Sequence, residues 1–460
     1  MPARNIVLFM TDDQGWGDLG CYGHPSIQSP ELDTFARRSL LLTDCHASSA
    51  VCSPSRAGLL TGRTPFRNGV HTICSQQQPI PYLRREELTL PSILKQHGYR
   101  TCHVGKWHLG TVAADGDLPG PHQHGYDHYL ATVSAAKPNH LDPTNFVRNG
   151  TACGRIAGNS AGIIVDEAID WLGQRPWEEA PFFLTVWTHE PHTPIGTEAR
   201  FRERYDADLP QKKRDYYGNI TQIDAAFGKL IAHLDATGMW EDTIVLYTSD
   251  NGPAWDPEFL NLGSTGGHRG AKAWLYEGGH RVPGLLHWPG RSSPGSVSHA
   301  TVFNTDFFPS ILTGLGIPLP TDRVIDGTDI LPIFDGQTPE RPQPLYWRYE
   351  AADNDLKVAY REGDWVLLAD TLIDRCELYH LGRDWQQRDN RVYDEYERFA
   401  AMKRRLLTVH RAVDQDGPGW WRNHEDPNTA WKQNHPEGIT RHLQGALPEP
   451  APEPYPPATI

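Results

Sequence analysis

The sequence predicts an α/β fold: a large, mostly parallel central sheet flanked by helices, followed by a smaller C-terminal subdomain with a short antiparallel sheet. Three observations carry this expectation. Four short apolar runs rich in β-branched and aromatic residues each stop abruptly at polar, reactive side chains. Segments of helical periodicity lie between the runs. The character of the chain then changes after about residue 335.

The first run is Ile6 to Met10, ending in Thr11-Asp12-Asp13. The second, Thr101 to Val104, leads into Gly105-Lys106-Trp107-His108. The third, Phe182 to Trp187, leads into Thr188-His189-Glu190-Pro191-His192. The fourth, Thr243 to Tyr247, leads into Thr248-Ser249-Asp250-Asn251-Gly252. Runs of this length and composition read as buried strands. Between them, Ser29 is placed to cap a helix with Pro30 at its first position, extending to about Leu40. Leu90 to Gln96 has Pro91 near its start and Gly98 beyond its end. Ile164, Ala168, Ile169 and Leu172 keep helical spacing, as do Ile220, Ile223, Phe227, Leu230, Ile231 and Leu234 ahead of Gly238. In open α/β sheets ligands bind beyond the carboxyl ends of the strands, and all four polar clusters fall there.

Thr338 to Pro344 is Pro-rich and reads as a linker, so the large domain is assigned to residues 1–340 and the C-terminal subdomain to residues 341–460. Short strand-like pieces follow, at Val358 to Tyr360, Trp365 to Leu368 and Glu377 to Tyr379, and Leu447 to Pro457 reads as an extended, Pro-rich tail.

The chain has 460 residues, enough for a sizeable core, and a formal net charge of -14. Such a field disfavours nucleic acid as a partner, and any anionic substrate needs a local cluster of cations. The seven cysteines are odd in number and form no C-x-x-C pair. No apolar run reaches the 18 residues of a membrane span. The run Ile6 to Met10 is too short for a signal-peptide core, so the expectation is a cytoplasmic location, or a periplasmic or secreted one if a leader was removed.

Several groups carry chemistry. Asp12-Asp13 and Asp250-Asn251 end two strands; brought together they place three carboxylates and an amide oxygen in one spot, which asks for a cation. Ca²⁺ tolerates such irregular oxygen geometry. Read singly, the same residues serve equally as turns, Asp-Asn-Gly being a common one. Cys52-Ser53-Pro54-Ser55-Arg56 puts a thiol at a helix N-terminus, where an anion is favoured, with Arg56 one turn on. A lone Cys is otherwise a small buried apolar residue. Lys106 and His108 lie two apart in an extended segment and share a side. His192 stands between two prolines that stiffen its loop. Lys272 sits in Arg269-Gly270-Ala271-Lys272-Ala273. Each of these last three also reads as an ordinary loop or surface residue when taken alone.

Their order along the chain is more specific. Cys52-Ser53-Pro54-Ser55-Arg56, continued by Leu60-Thr61-Gly62-Arg63, resembles the C-x-P-x-R signature of the formylglycine-dependent sulfatases, a branch of the alkaline phosphatase superfamily. Gly98-Tyr99-Arg100-Thr101 through Gly105-Lys106-Trp107-His108-Leu109-Gly110 is similar to the second signature of that family. Ser249-Asp250-Asn251-Gly252 and Tyr276-Glu277-Gly278-Gly279 also match, and the likeness extends over roughly residues 4 to 390. The resemblance implies a sulfuric ester hydrolase on an alkaline-phosphatase-like fold. It implies one Ca²⁺ on Asp12, Asp13, Asp250 and Asn251, and conversion of Cys52 to formylglycine by a formylglycine-generating enzyme. Arg56, Lys106 and Lys272 would hold the aldehyde hydrate and the sulfate oxygens, and His108 and His192 would move protons. His268 departs from the family, whose members often carry an apolar residue there. With no hydrophobic membrane hairpin present, the resemblance favours a sulfated carbohydrate as substrate. Two other readings stand beside it: a phosphodiesterase or phosphonate monoester hydrolase on the same scaffold, and a sulfated-glycan binding protein without turnover. Trp385, Trp420, Trp421 and Trp431 are candidate sugar platforms, though core or interface roles suit most of them better.

Overall fold

The computed structural model describes residues 5–75, 81–114, 116–174, 180–254 and 262–422. Trp431 and the Pro-rich tail lie outside them.

Ten strands form one mixed sheet. At its centre, Thr243–Ser249, Asn5–Asp12, Phe182–Pro191, Arg100–Lys106 and His128–Thr132 lie side by side in that order and all run parallel. The four sequence-predicted strands are therefore adjacent and point the same way. Antiparallel neighbours flank them: Gly284–His287 beside Thr243–Ser249, and Phe146–Arg148 beside His128–Thr132. The expected parallel sheet is thus parallel in its middle and mixed towards its edges.

The strand Asn5–Asp12 is buried along its whole length and divides its side chains between two cores. Ile6, Leu8 and Met10 pack with Leu59, Leu60, Phe308 and Ile311, whereas Val7 and Phe9 pack with Ile164, Ile223 and Phe227. Strand alternation makes this division, and apolar residues on both faces require helices on both. The helices Cys52–Thr61, Leu90–Gln96 and Phe307–Gly314 cover one face, and Pro30–Arg38, Ser160–Gly173 and Gln211–Ala236 the other.

Ser29 precedes the helix Pro30–Arg38 as expected, but its hydroxyl does not cap it. The carboxylate of Asp224, on the helix Gln211–Ala236, accepts the N–H groups of Leu32 (2.8 Å) and Glu31 (3.2 Å) instead. A cap supplied by a distant helix meets the same need for acceptors at a helix start.

The C-terminal sheet is antiparallel and has four strands: Leu345–Arg348, Val358–Glu362, Trp365–Ala369 and Cys376–His380. The helix Tyr396–Asp416 packs Met402, Leu406 and Val413 against it. On its other face Trp347, Tyr349 and Ala359 join Val51, Trp274 and Phe303 of the preceding chain in one apolar cluster. Arg361 reaches from this sheet to Asp44, with Nη2 donating to Oδ2 at 2.6 Å and Nη1 to Oδ1 at 3.0 Å. Among the described residues no helix is long and apolar enough to cross a membrane.

Candidate active site

Four parallel strands deliver their carboxyl ends to one place. Asp12 ends the first, and Asp13 follows at φ 66°. Lys106 ends the strand Arg100–Lys106, and His108 follows at φ 58°. A positive φ is uncommon for residues with a Cβ, and its occurrence at two candidate site residues marks backbone held by its surroundings. Gly105 has φ 108°, and a Cβ there would lie 1.8 Å from the carbonyl oxygen of Trp187, so the approach to Lys106 requires glycine.

The ten predicted site residues converge. One ligand atom each from Asp12, Asp13, Cys52 and His192 lies within 4.8 Å of the others. Lys106 Nζ donates to Asp12 Oδ2 at 2.7 Å, and Lys272 Nζ to Asp13 Oδ2 at 2.7 Å. Arg56 donates twice to Asp250 Oδ2, from Nε at 2.9 Å and Nη2 at 2.6 Å, while its Nη1 reaches the Lys106 carbonyl at 3.0 Å. Asp250 Oδ1 accepts the Asp13 N–H at 3.1 Å, and Asn251 Nδ2 donates to Asp13 Oδ1 at 2.7 Å. His192 Nε2 stands 3.7 Å from Asp13 Oδ2, and His108 lies in the same field of charges. Arg56 also lies over the ring of Trp187 at 5.2 Å, a contact the sequence reading did not single out.

Three carboxylates therefore face three cations in a buried space. Burial raises the Asp12 carboxyl, yet Lys106, His192, Arg56 and Lys272 together hold it well below the usual value. Burial and the neighbouring Asp12 push Asp250 up to about 7 against the pull of Arg56 and Lys106. Burial pushes the Cys52 thiol up to about 12 although Lys106 and Lys272 are near. An unmodified Cys52 is thus a neutral thiol at physiological pH, not a poised thiolate. Burial and Lys272 bring His192 down to about 4, and burial with Lys106 and Arg56 holds His108 well below its ordinary value. Both imidazoles are neutral here, and an arriving anion acts on them in the opposite direction.

The helix Cys52–Thr61 is buried throughout and starts at Cys52. It aims its first N–H groups and its positive end at the carboxylates and at any bound oxyanion.

The residues present fit a hard divalent cation. Asp12 Oδ1 and Asn251 Oδ1 are buried and have no hydrogen-bond partner among the described residues, although both belong to the oxygen cluster. Buried oxygens are normally paired, and a cation bound by oxygen is one partner that satisfies them.

Known proteins place the chain in a family. The sequence profile of the family Sulfatase matches residues 4–317, and that of the N-sulphoglucosamine sulphohydrolase C-terminal region matches residues 267–412. The N-acetylgalactosamine-6-sulfatase of Canis lupus familiaris is 34% identical over 366 residues, covering 74% of this chain and 67% of the relative. The chain belongs to the sulfatase family.

Human arylsulfatase A is 33% identical to this sulfatase over 373 residues, covering 75% of this chain and 70% of that one. In fold, the sulfatase resembles the solved structure of Ps i-CgsB in complex with k-i-k-neocarrahexaose, with a TM-score of 0.81, 22% identity and coverage of 97% and 98% of the two chains. His268, the departure noted in the sequence, is buried, with ring edges of Trp16 and Trp385 at 5.4 and 5.1 Å. Trp421 lies under the Arg348 guanidinium at 4.1 Å and Trp420 packs on Tyr82 at 5.0 Å. The sequence reading gave no separate role to His140, His189 or Glu190, all three of which are buried. His189 and Glu190 were legible only as part of the polar end of a strand, and His140 sits where no period marks it.

Proposed function

We propose that this sulfatase hydrolyses a sulfate ester of a sulfated carbohydrate, with residue 52 acting as an aldehyde hydrate beside a Ca²⁺. The observation that carries this reading is the placement of Cys52. Its side chain stands at a helix N-terminus within 4.8 Å of Asp12, Asp13 and His192, yet its own thiol is protonated. The Cβ of Cys52 is the carbon that becomes the aldehyde, and its Sγ marks where an oxygen of the hydrate stands. The relatives support a sugar substrate by their names, and a cavity of about 230 Å³ lined by Cys74, Gly110, Thr111 and Val133 borders the segment that follows His108. A formylglycine-generating enzyme is the partner that maturation requires.

Asp12, Asp13, Asp250 and Asn251 would hold the Ca²⁺, which when bound supplies positive charge to acidify and orient the hydrate oxygen. The chain's own groups do the rest. Asp250 takes the proton of the attacking hydroxyl. That oxygen bonds to sulfur as the sulfur–oxygen bond to the sugar breaks, and His192, which takes up a proton from solvent once the substrate's negative charge lies beside it, gives that proton to the departing oxygen. Arg56, Lys106 and Lys272 balance the charge on the remaining sulfate oxygens. His108 then accepts the proton of the second hydroxyl, the carbon–oxygen bond to sulfate breaks, and the aldehyde re-forms. The sum is ester plus water giving alcohol and hydrogen sulfate. A serine or an unmodified cysteine lacks the second hydroxyl and has no such exit.

The test is intact-peptide mass spectrometry across residue 52 on protein co-produced with the maturation enzyme, followed by rates on 4-nitrophenyl sulfate and 4-nitrophenyl phosphate. The expected result is a loss of about 18 Da and faster turnover of the sulfate. An unmodified thiol in an active enzyme sinks the nucleophile; preference for the phosphate sinks the sulfate-ester chemistry proposed here.

A further inference from the structure

His192 is carried by a short turn. Its N–H donates to the His189 carbonyl at 3.0 Å, and the turn closes at Gly196. The carbonyl of Gly196 accepts from Asn219 Nδ2 at 3.1 Å and from Gln222 Nε2 at 3.4 Å. A Cβ at Gly196 would lie 2.5 Å from Asn139 Oδ1 and 2.9 Å from the His140 nitrogen, so the turn rests directly on the segment around His140.

The His140 ring lies beneath this turn, 1% exposed. The Gly196 N–H points at its Nδ1 at 3.4 Å. An imidazole nitrogen that accepts carries no proton, so the hydrogen of the neutral ring is on Nε2. Nε2 has no hydrogen bond of full geometry, and neither has the buried Asn219 Oδ1. The ring nevertheless interacts with the Asn219 side chain and with the backbone of His192. The ring thus lies beside Asn219 and beside the backbone of the residue whose side chain enters the site. Among the described residues His140 makes no hydrogen bond or ion pair to the side chain of a site residue, although the charges of Glu190 and Asp12 act on its ring.

We propose that His140 is a positioning residue: accepting the Gly196 N–H and packed against the turn that carries His192, its ring sets the loop that aims His192 at the leaving-group oxygen. The inference rests on the reading of His192 as the proton donor to that oxygen. A neutral ring suits the task because its free Nδ1 can accept the N–H at the closing end of the turn. A shift of about 1 Å at a proton donor is enough to lower a rate a hundredfold.

Leaving-group dependence tests this independently of the natural sugar. The matured, Ca²⁺-loaded enzyme is assayed for kcat/KM on a series of phenyl sulfates from 4-nitrophenyl to unsubstituted phenyl. A good leaving group needs little help from an acid, and a poor one needs much. His140→Phe keeps the ring volume and removes both nitrogens. It is expected to lower kcat/KM on phenyl sulfate about tenfold more than on 4-nitrophenyl sulfate. His140→Gln keeps a donor and an acceptor and should restore the parent slope. Asn219→Leu removes the donor to the Gly196 carbonyl at the same end of the turn; it should give the same selective loss and takes the place of His140→Phe if that variant does not fold. A loss uniform across the series, or no loss, overturns the proposal. His192→Ala separates the two levels. If it steepens the dependence while the His140 and Asn219 variants do not, the positioning role fails and the acid role stands. If His192→Ala loses activity uniformly, the acid role fails and the positioning role falls with it.

Discussion

Replacing Arg56 with Ala removes a fully buried guanidinium that makes two bonds to Asp250 Oδ2 and one to the Lys106 carbonyl. The cost has two parts. Removing one partner of a buried ion pair costs about 3–5 kcal/mol, because the other charge is left without compensation. An upper bound then applies: Asp250 already sits at about 7, so without Arg56 it takes up a proton instead of staying ionised, which keeps the loss near the lower figure. At about 2.1 cal/mol/K per residue, a chain of this length has an unfolding entropy of roughly 1 kcal/mol/K. Arg56→Ala should therefore lower the melting temperature by about 3 °C in a chelator. The fall should be smaller in Ca²⁺, where a second cation faces the same carboxylates. Scanning calorimetry in both buffers measures it, and turnover of 4-nitrophenyl sulfate is followed alongside. The double variant Arg56→Ala/Asp250→Asn should recover most of the melting temperature while remaining inactive, since it removes the orphaned charge but not the need for the guanidinium. An Arg56→Ala enzyme that melts within a degree of the parent in chelator, or a double variant that regains turnover, refutes this reasoning.

Three further outcomes follow from the same structure. Adding Ca²⁺ to chelator-treated enzyme at a hundred times its dissociation constant should stabilise it by about 2.7 kcal/mol, and Asn251→Leu should weaken that gain; equal melting curves with and without Ca²⁺ would rule out the oxygen cluster as its site. Arg361→Leu leaves Asp44 with Arg281, His46 and Thr301, so it should lower the melting temperature by only about 2–3 °C while leaving the Ca²⁺ gain intact; an unchanged melt shows that the pair does not tie the C-terminal sheet down. Burial raises the Asp224 carboxyl from 3.8 to about 7, so its ionised form is the less stable one in the fold and stability is lost as pH rises between those values. Asp224→Asn should therefore gain on the parent in melting temperature between pH 4 and pH 8, and a pH-independent difference between the two would refute the shift.

Local pattern was enough for the elements that carry the chemistry. The four buried strands, Leu90–Gln96 and the strands at Val358, Trp365 and Cys376 follow from residue type and period, because a strand buried on both faces must be apolar along its length. The ten site residues were legible as well, since each sits where an apolar run meets reactive polar groups or in a motif of known order. The helix Tyr396–Asp416 was missed: its first and last turns are polar and only Met402, Leu406 and Val413 are buried, so packing on the sheet makes it a helix. The Asp224 cap, the Arg361 bridge to Asp44 and the antiparallel strand Gly284–His287 join residues between about 40 and 320 positions apart, a distance over which no sequence period extends. The sequence by itself determined which residues carry charge, reactivity and strand character. Only the tertiary structure decided that three carboxylates and three cations share one largely buried space, that Cys52 is a protonated thiol there, and that a buried His140 stands under the turn that carries His192. The physical reason is that charge state and aim depend on desolvation and on neighbours brought in from distant parts of the chain.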